Sequence, residues 1–274
     1  MTRHLDRGHG PALVTGGHGP ALVMVPGLAA TAEFFSAAVA RLATRHRVVV
    51  VELPGHGDNA TADRPASLTR AAEDLHTTIE ELDLAGVTLL GWSLGATVAY
   101  GYLEQFGAAR IRALVSVEQT PRLLRDHDWP YAAFGNLDAA GADAVLASVT
   151  DDYPAFAAGL VRGSFAAGTD PDPTTLADLI DQTRRCDPDA VRALLAEALT
   201  VDWRDRLRRI SVPTLLVHGA HSQVYPGEVG GWLRSAIPAS RLEVFPGSGH
   251  LPFVEEPDRF ADLVSAFVDH PVAT

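Results

Sequence analysis

The sequence predicts an α/β protein: a mostly parallel central sheet flanked by helices on both faces, interrupted by a helical insertion. Three observations predict it. Short apolar, β-branched runs alternate with segments whose apolar residues recur at helical spacing, as parallel strands joined by helical crossovers require. The alternation stops between about Gln119 and Ile210, where acidic, Ala-rich stretches are punctuated by Pro130, Pro154, Pro171, Pro173 and Pro188. It then resumes to the end of the chain. The expected organisation is one core domain, residues 1–118 and 211–274, with residues 119–210 forming a helical cap; an insertion of that length far exceeds an ordinary loop and suits a lid over a site.

The elements follow in order. Gly-His-Gly-Pro-Ala-Leu-Val occurs at 8–14 and again at 17–23. With Thr15-Gly16-Gly17 at the join, it reads as two short strands connected by a tight turn. His9 and His18 match in position, but no carboxylate or cysteine completes a metal site. Leu22–Val25 is a strand, and Thr31 is placed to cap a helix carrying Phe34, Phe35, Val39 and Leu42. Val48–Leu53 reads as a strand buried on both faces. Ser67 opens a helix with Leu68, Ala72, Leu75, Ile79 and Leu82 on one stripe. Val87–Leu90, a helix from about Leu94 to Phe106, and the strand Ile111–Val117 complete the first half. After the insertion come the strand Thr214–His218, a helix over about Glu228–Ile237, the strand Arg241–Phe245, and a last helix begun by Pro257 with Phe260, Leu263, Val264 and Phe267 inward.

Composition removes whole classes of function. All 22 basic residues are Arg, so a Schiff-base nucleophile, a pyridoxal-phosphate anchor and a phosphate-loop lysine are excluded. The formal charge of −12 argues against nucleic acid or an anionic membrane as partner. Cys186 stands alone, so no internal disulfide forms and a reducing, cytoplasmic setting is expected. Residues 1–13 show no signal-peptide pattern, and no apolar run approaches the ~20 residues of a membrane span.

Gly91-Trp92-Ser93-Leu94-Gly95 carries the chemistry. It follows a predicted strand and opens a predicted helix, the context in which G-x-S-x-G marks a nucleophile held on a sharp turn. The helix N-terminus behind Ser93 favours negative charge in front of it. The expected base is His250, in the Gly-rich loop Phe245-Pro246-Gly247-Ser248-Gly249-His250-Leu251-Pro252 after the last strand. That loop lies at the carboxyl edge of the sheet, as Ser93 does, where open α/β sheets gather their sites. Two backbone N–H groups, of Leu94 and of Leu28 in Val25-Pro26-Gly27-Leu28, are the candidate oxyanion hole. The aromatic and apolar residues Trp92, Trp129, Tyr131 and Leu251 are candidates for the substrate pocket.

These motifs, with Leu53-Pro54-Gly55-His56-Gly57 and the insertion, resemble the α/β-hydrolase superfamily, in particular its branch of cofactor-free haloperoxidases and esterases. The resemblance implies the α/β-hydrolase fold and its triad over nearly all of the chain outside the cap. His56 is read as structural. In many members a catalytic aspartate follows the strand that ends in Gly; here that strand is Thr214–Gly219, and Ser222 stands at the aspartate position. The resemblance offers a second place for the acid, at the end of the strand after the nucleophile helix. That place holds Glu118, 25 residues after Ser93. Glu228 is the nearest carboxylate beyond Ser222, and pairing of Glu118 with Arg122 or Arg125 is the competing structural reading. His218 and His221 span a strand end and a turn, and Asp126-His127-Asp128 reads as a solvated turn, so no metal is expected.

The expected function is a serine hydrolase that cleaves a small, largely apolar ester, lactone or thioester with Ser93, His250 and Glu118, and needs no cofactor. The alternative is a cofactor-free dioxygenase of the quinolone ring-cleaving type, with the same histidine and acid; a receptor on this scaffold is a third reading. The partner is a small-molecule substrate, and a homodimer is compatible with all three.

Overall fold

A computed structural model describes the backbone of two short N-terminal strands, residues 3–5 and 12–14, together with residues 17–59 and 65–272. Eight strands form one sheet: β1 (Arg3–Leu5), β2 (Ala12–Val14), β3 (Ala21–Val25), β4 (Arg47–Val51), β5 (Val87–Trp92), β6 (Ile111–Val117), β7 (Thr214–Gly219) and β8 (Ser240–Phe245). Their order is β1-β2-β4-β3-β5-β6-β7-β8. The six strands from β4 to β8 along this order are parallel; β1 and β2 add an antiparallel edge.

The internal repeat is where the strand reading needs correction. Both copies do contain strands, but β2 and β3 do not pair with each other. β4 lies between them, antiparallel to β2 and parallel to β3. Identical local sequence carries identical strand propensity, but the β-branched run Val48–Val51 provides two pairing edges and separates the copies. His9 and the Thr15-Gly16 part of the join lie outside the described residues.

Alternation along the strands sends side chains to two cores. Val23, Val25, Val49, Leu89, Leu114 and Leu216 pack beneath α2 (Leu68–Glu81), α3 (Leu94–Phe106) and α8 (Glu228–Ala236). Leu22, Met24, Val48, Leu90, Val115 and Leu215 pack beneath α1 (Ser36–Leu42), α9 (Pro252–Glu255) and α10 (Pro257–Asp269). These side chains are fully buried, and truncating one large member to Ala costs about 2–5 kcal/mol. The helix starts follow their caps: Ser67 accepts from Arg70 N at 3.0 Å. Thr31 departs from its expected role. It precedes a 3₁₀ turn over Ala32–Phe35 without capping it, because its hydroxyl donates to Gln182 at 3.1 Å.

Four helices fall between β6 and β7: α4 (Ala139–Asp151), α5 (Tyr153–Ser164), α6 (Pro173–Arg184) and α7 (Pro188–Thr200). The side chains of Asp138, Asp152, Asp172 and Asp187 each cap the helix that follows. The three prolines of the insertion at 154, 173 and 188 occupy first-turn positions, where a missing N–H costs nothing. No helix among the described residues is long and apolar enough to cross a membrane.

Candidate active site

Ser93 sits between β5 and α3 with φ 52° and ψ −122°, a left-handed backbone that a residue with a Cβ rarely adopts. The close crossing at this turn explains Gly95. A Cβ there would lie 2.1 Å from the carbonyl oxygen of Val25 on β3. Ser93 N donates to Val117 O at 2.9 Å, so the turn is also stitched to β6.

Glu118 directly follows β6, and it too has positive φ, 45°. Its carboxylate is fully buried and fully used. Oε2 lies 2.8 Å from His250 Nδ1 and accepts from Ser222 Oγ at 2.7 Å. Oε1 accepts from Gly219 N at 2.8 Å and lies 3.4 Å from His218 Nδ1. Burial alone would raise its pKa, but the hydrogen bonds from His218 and His250 outweigh burial and hold it down at about 2. Neither Arg122 nor Arg125 approaches it. Arg122 pairs with Asp126 and Asp202, and Arg125 with Asn136. Glu228 is exposed at the start of α8. Ser222, which stands where the resemblance puts an aspartate in many members, donates its hydroxyl to Glu118.

His250 is held on three sides. Its N–H donates to Ser164 O at 2.8 Å, its carbonyl accepts from Trp92 Nε1 at 2.8 Å, and Glu118 engages Nδ1. A carboxylate on Nδ1 fixes the tautomer in which Nε2 carries the lone pair. Ser93 and His250 line the same cavity, which has about 100 Å³ of room for the centres of water molecules. Its walls are mostly apolar and include Leu28, Phe34, Leu94, Leu137, Val161 and Leu195.

Two residues that sequence reasoning missed complete the polar floor. Thr120 N donates to Gln119 Oε1 at 2.7 Å, which fixes the orientation of the amide; its Nε2 donates to Thr97 Oγ1 at 2.8 Å and to Ser93 O. The Tyr225 hydroxyl therefore donates to Gln119 Oε1, at 3.2 Å, and Tyr225 lines the same cavity as Ser93. Burial raises the pKa of Tyr225, so it stays a neutral phenol. No local motif signals either residue; both are brought in by β6 and the loop after β7.

The loop bearing Leu28 is anchored from beneath. Ala29, next to Leu28, has φ 56° and donates its N–H to Nε2 of the buried His56 at 2.9 Å, while His56 Nδ1 bonds Pro54 O at 3.0 Å. Glu52 Oε1 accepts from Ala32 N at 2.8 Å. Burial lowers the pKa of His56 to about 4, so it is a neutral acceptor at pH 7.

Of the expected pocket residues, Trp92 lines the cavity and three do not. Trp129 is buried against Tyr131 and Trp232, with its Nε1 on Arg122 O, because the arch from Leu123 to Leu137 folds it inward. Tyr131 goes with it. Leu251 is fully buried in the cluster that also holds Phe253, Phe260 and Phe267. His127 is exposed beside Asp128, and His218 turns into the sheet toward Glu118 while His221 faces solvent.

A parallel sheet with a strained serine at the strand-to-helix turn and a histidine on the final strand's loop is the architecture of α/β hydrolases. The comparisons agree. The model of the alpha/beta hydrolase family matches residues 22–263. A pimeloyl-[acyl-carrier protein] methyl ester esterase of Neisseria meningitidis serogroup B is 30% identical over 246 residues, spanning 90% of this chain and 92% of the relative. An esterase from Exiguobacterium antarcticum superposes with a TM-score of 0.88 at 27% identity, covering 95% of this chain and 96% of its own. A bromoperoxidase from Bacillus anthracis shares the fold, with a TM-score of 0.88 at 24% identity and coverage of 98% and 100%. The chain belongs to the alpha/beta hydrolase family, and it is an esterase-like hydrolase within it.

Proposed function

We propose that this protein hydrolyses a small, largely apolar carboxylic ester, lactone or thioester through an acyl-enzyme on Ser93. The observation that carries the reading is the 2.8 Å hydrogen bond that His250 Nδ1 donates to Glu118, at the floor of the apolar cavity that Ser93 also lines. In this reading His250 Nε2 takes the Ser93 proton as Oγ attacks the substrate carbonyl. The new bond gives a tetrahedral intermediate, whose oxyanion is received by the N–H groups of Leu28 and Leu94. His250 then gives the proton to the leaving alcohol or thiol. Water, deprotonated by the same imidazole, hydrolyses the acyl-enzyme. Glu118 stays ionised throughout and stabilises the imidazolium.

Residues 119–210 are the cap in this reading: α5 and α7 supply Val161, Ser164, Leu195 and Leu199 to the cavity roof. The methyl-ester activity named for the relatives fits an ester substrate, and the apolar lining favours an uncharged acyl group. Burst release from p-nitrophenyl esters tests the reading. Ser93→Ala is expected to abolish the burst, and Glu118→Gln to lower kcat by at least ~10²-fold, the scale of losing an orienting acid. A burst that survives Ser93→Ala sinks the proposal, and if Glu228→Gln causes that loss in place of Glu118→Gln, the acid is wrongly assigned. Oxygen uptake on a hydroxyquinolone, lost in His250→Ala but not in Ser93→Ala, would establish the dioxygenase instead.

A further inference from the structure

Phe134 is placed unfavourably twice over. Its side chain is 52% exposed, and it is the only aromatic among the large apolar residues left exposed in the described chain. Its backbone is left-handed as well, with φ 53° and ψ 28°. A single exposed apolar residue is ordinary, but a bulky side chain in left-handed conformation is a true outlier, and Gly135, itself at φ 73°, stands next to it.

The surrounding chain holds it there. Arg125 N donates to Leu137 O at 2.7 Å and Ala133 N to Leu123 O at 2.9 Å, closing the arch 123–137. Phe134 N itself donates to Val224 O at 2.7 Å, which ties the arch to the loop that carries Ser222 and Tyr225. Phe134 also lines the cavity that reaches Ser93, together with Leu123, Leu137 and Val224. A residue that is both at the surface and in the cavity wall stands at the mouth. Strain kept at such a place points to a role with the bound molecule.

We infer that Phe134 is a specificity-determining residue: its ring closes over the solvent-side end of an apolar ester, alkyl or aryl, whose carbonyl lies at Ser93. The inference rests on the ester-hydrolase reading above and adds to it the group that grips the far end of the substrate.

The test is a chain-length series of p-nitrophenyl esters, acetate to octanoate, with Phe134→Gly, Phe134→Asn and Phe134→Tyr. Glycine and asparagine accept the left-handed backbone, so their thermal midpoints are expected to equal or exceed that of the parent. Their KM for the octanoate is expected to rise about tenfold, the scale of one lost aromatic contact, with kcat and the acetate kinetics within about twofold. Phe134→Tyr is expected to restore the octanoate KM. A folded glycine variant with unchanged octanoate KM overturns the inference. So does a fall in thermal midpoint in both the glycine and asparagine variants, because the ring would then be a packing element. Ser93→Ala, assayed alongside, keeps the two levels apart: esterase activity that survives it removes the underlying reading, whereas Ser93-dependent activity indifferent to Phe134 removes this inference alone.

Discussion

Two buried residues couple this site to pH in the same direction over different ranges. His56 has its pKa lowered from 6.5 to about 4 by burial. The unfolded chain therefore takes up a proton between those values while the folded chain does not. Stability is full above pH 6.5 and falls as pH drops toward 4, by at most about 3 kcal/mol. Glu118, depressed from 4.5 to about 2, adds stability above pH 4.5 that is lost as pH falls toward 2. Urea melts across pH 4–7 are expected to show the first loss in the parent chain and a flatter profile in His56→Gln. Equal slopes would show that His56 does not hold the loop through a neutral imidazole. The sequence made His56 recognisable as structural, but not what it supports; the bond to Ala29 N spans 27 positions and is a product of the fold. As candidates, Ser93 and Glu118 were legible because each directly follows a strand, and His250 because it lies in the glycine-rich loop after β8. Tyr225 and Gln119 were not, since their roles depend on which loops the sheet order brings together.

At the scale of elements, the loop after β8 is clamped to the end of α5. Glu255 accepts from Gly249 N at 2.8 Å and from Ala166 N at 2.7 Å, and burial raises its pKa despite those bonds. Gly249 has no room for a side chain: a Cβ would meet Ala166 N at 2.6 Å, and the obstacle is backbone that cannot swing aside. Gly249→Ala is expected to destabilise the fold by about 1–3 kcal/mol and to lower kcat by moving His250. Gly101→Ala is the control, since nothing lies within 4 Å of its Cβ, and it is expected to be neutral or slightly stabilising in α3. A thermal shift no larger for position 249 than for 101 would refute the clamp. Helices and strands were readable from periodicity, down to the bounds of α3. The pairing of the repeat was not, because strand propensity is local and strand neighbourhood is decided by competition among edges.

Across the whole molecule, the insertion and the core share one interior. A continuous buried cluster joins Val51, Leu53 and Leu75 of the core to Tyr153, Val191 and Leu194 of the insertion, and Cys186 lies within it. Asp187 N donates to Gly55 O at 2.8 Å, and Glu197 accepts from Leu68 N at 2.7 Å, so α7 is fastened by its N-cap to the turn after β4 and by its last turn to the start of α2. Burial pushes the Cys186 thiol up to about 12, so it is protonated and unreactive in the native chain. Thiol labelling through a denaturant series is expected to coincide with the loss of far-UV circular dichroism, as one cooperative transition. Labelling well before that loss would mean that the insertion opens on its own. The sequence predicted the insertion from its composition, but how deeply it shares the core could be seen only once its helices were in place. The hydroxyl of Ser222 against Glu118 has a consequence for how such a sheet edge can diverge. A carboxylate at position 222 would stand about where that hydroxyl now meets Glu118, and two carboxylates so close cannot both ionise. In the proposed reading, positions 118 and 222 therefore compete to hold a single negative charge beside His250.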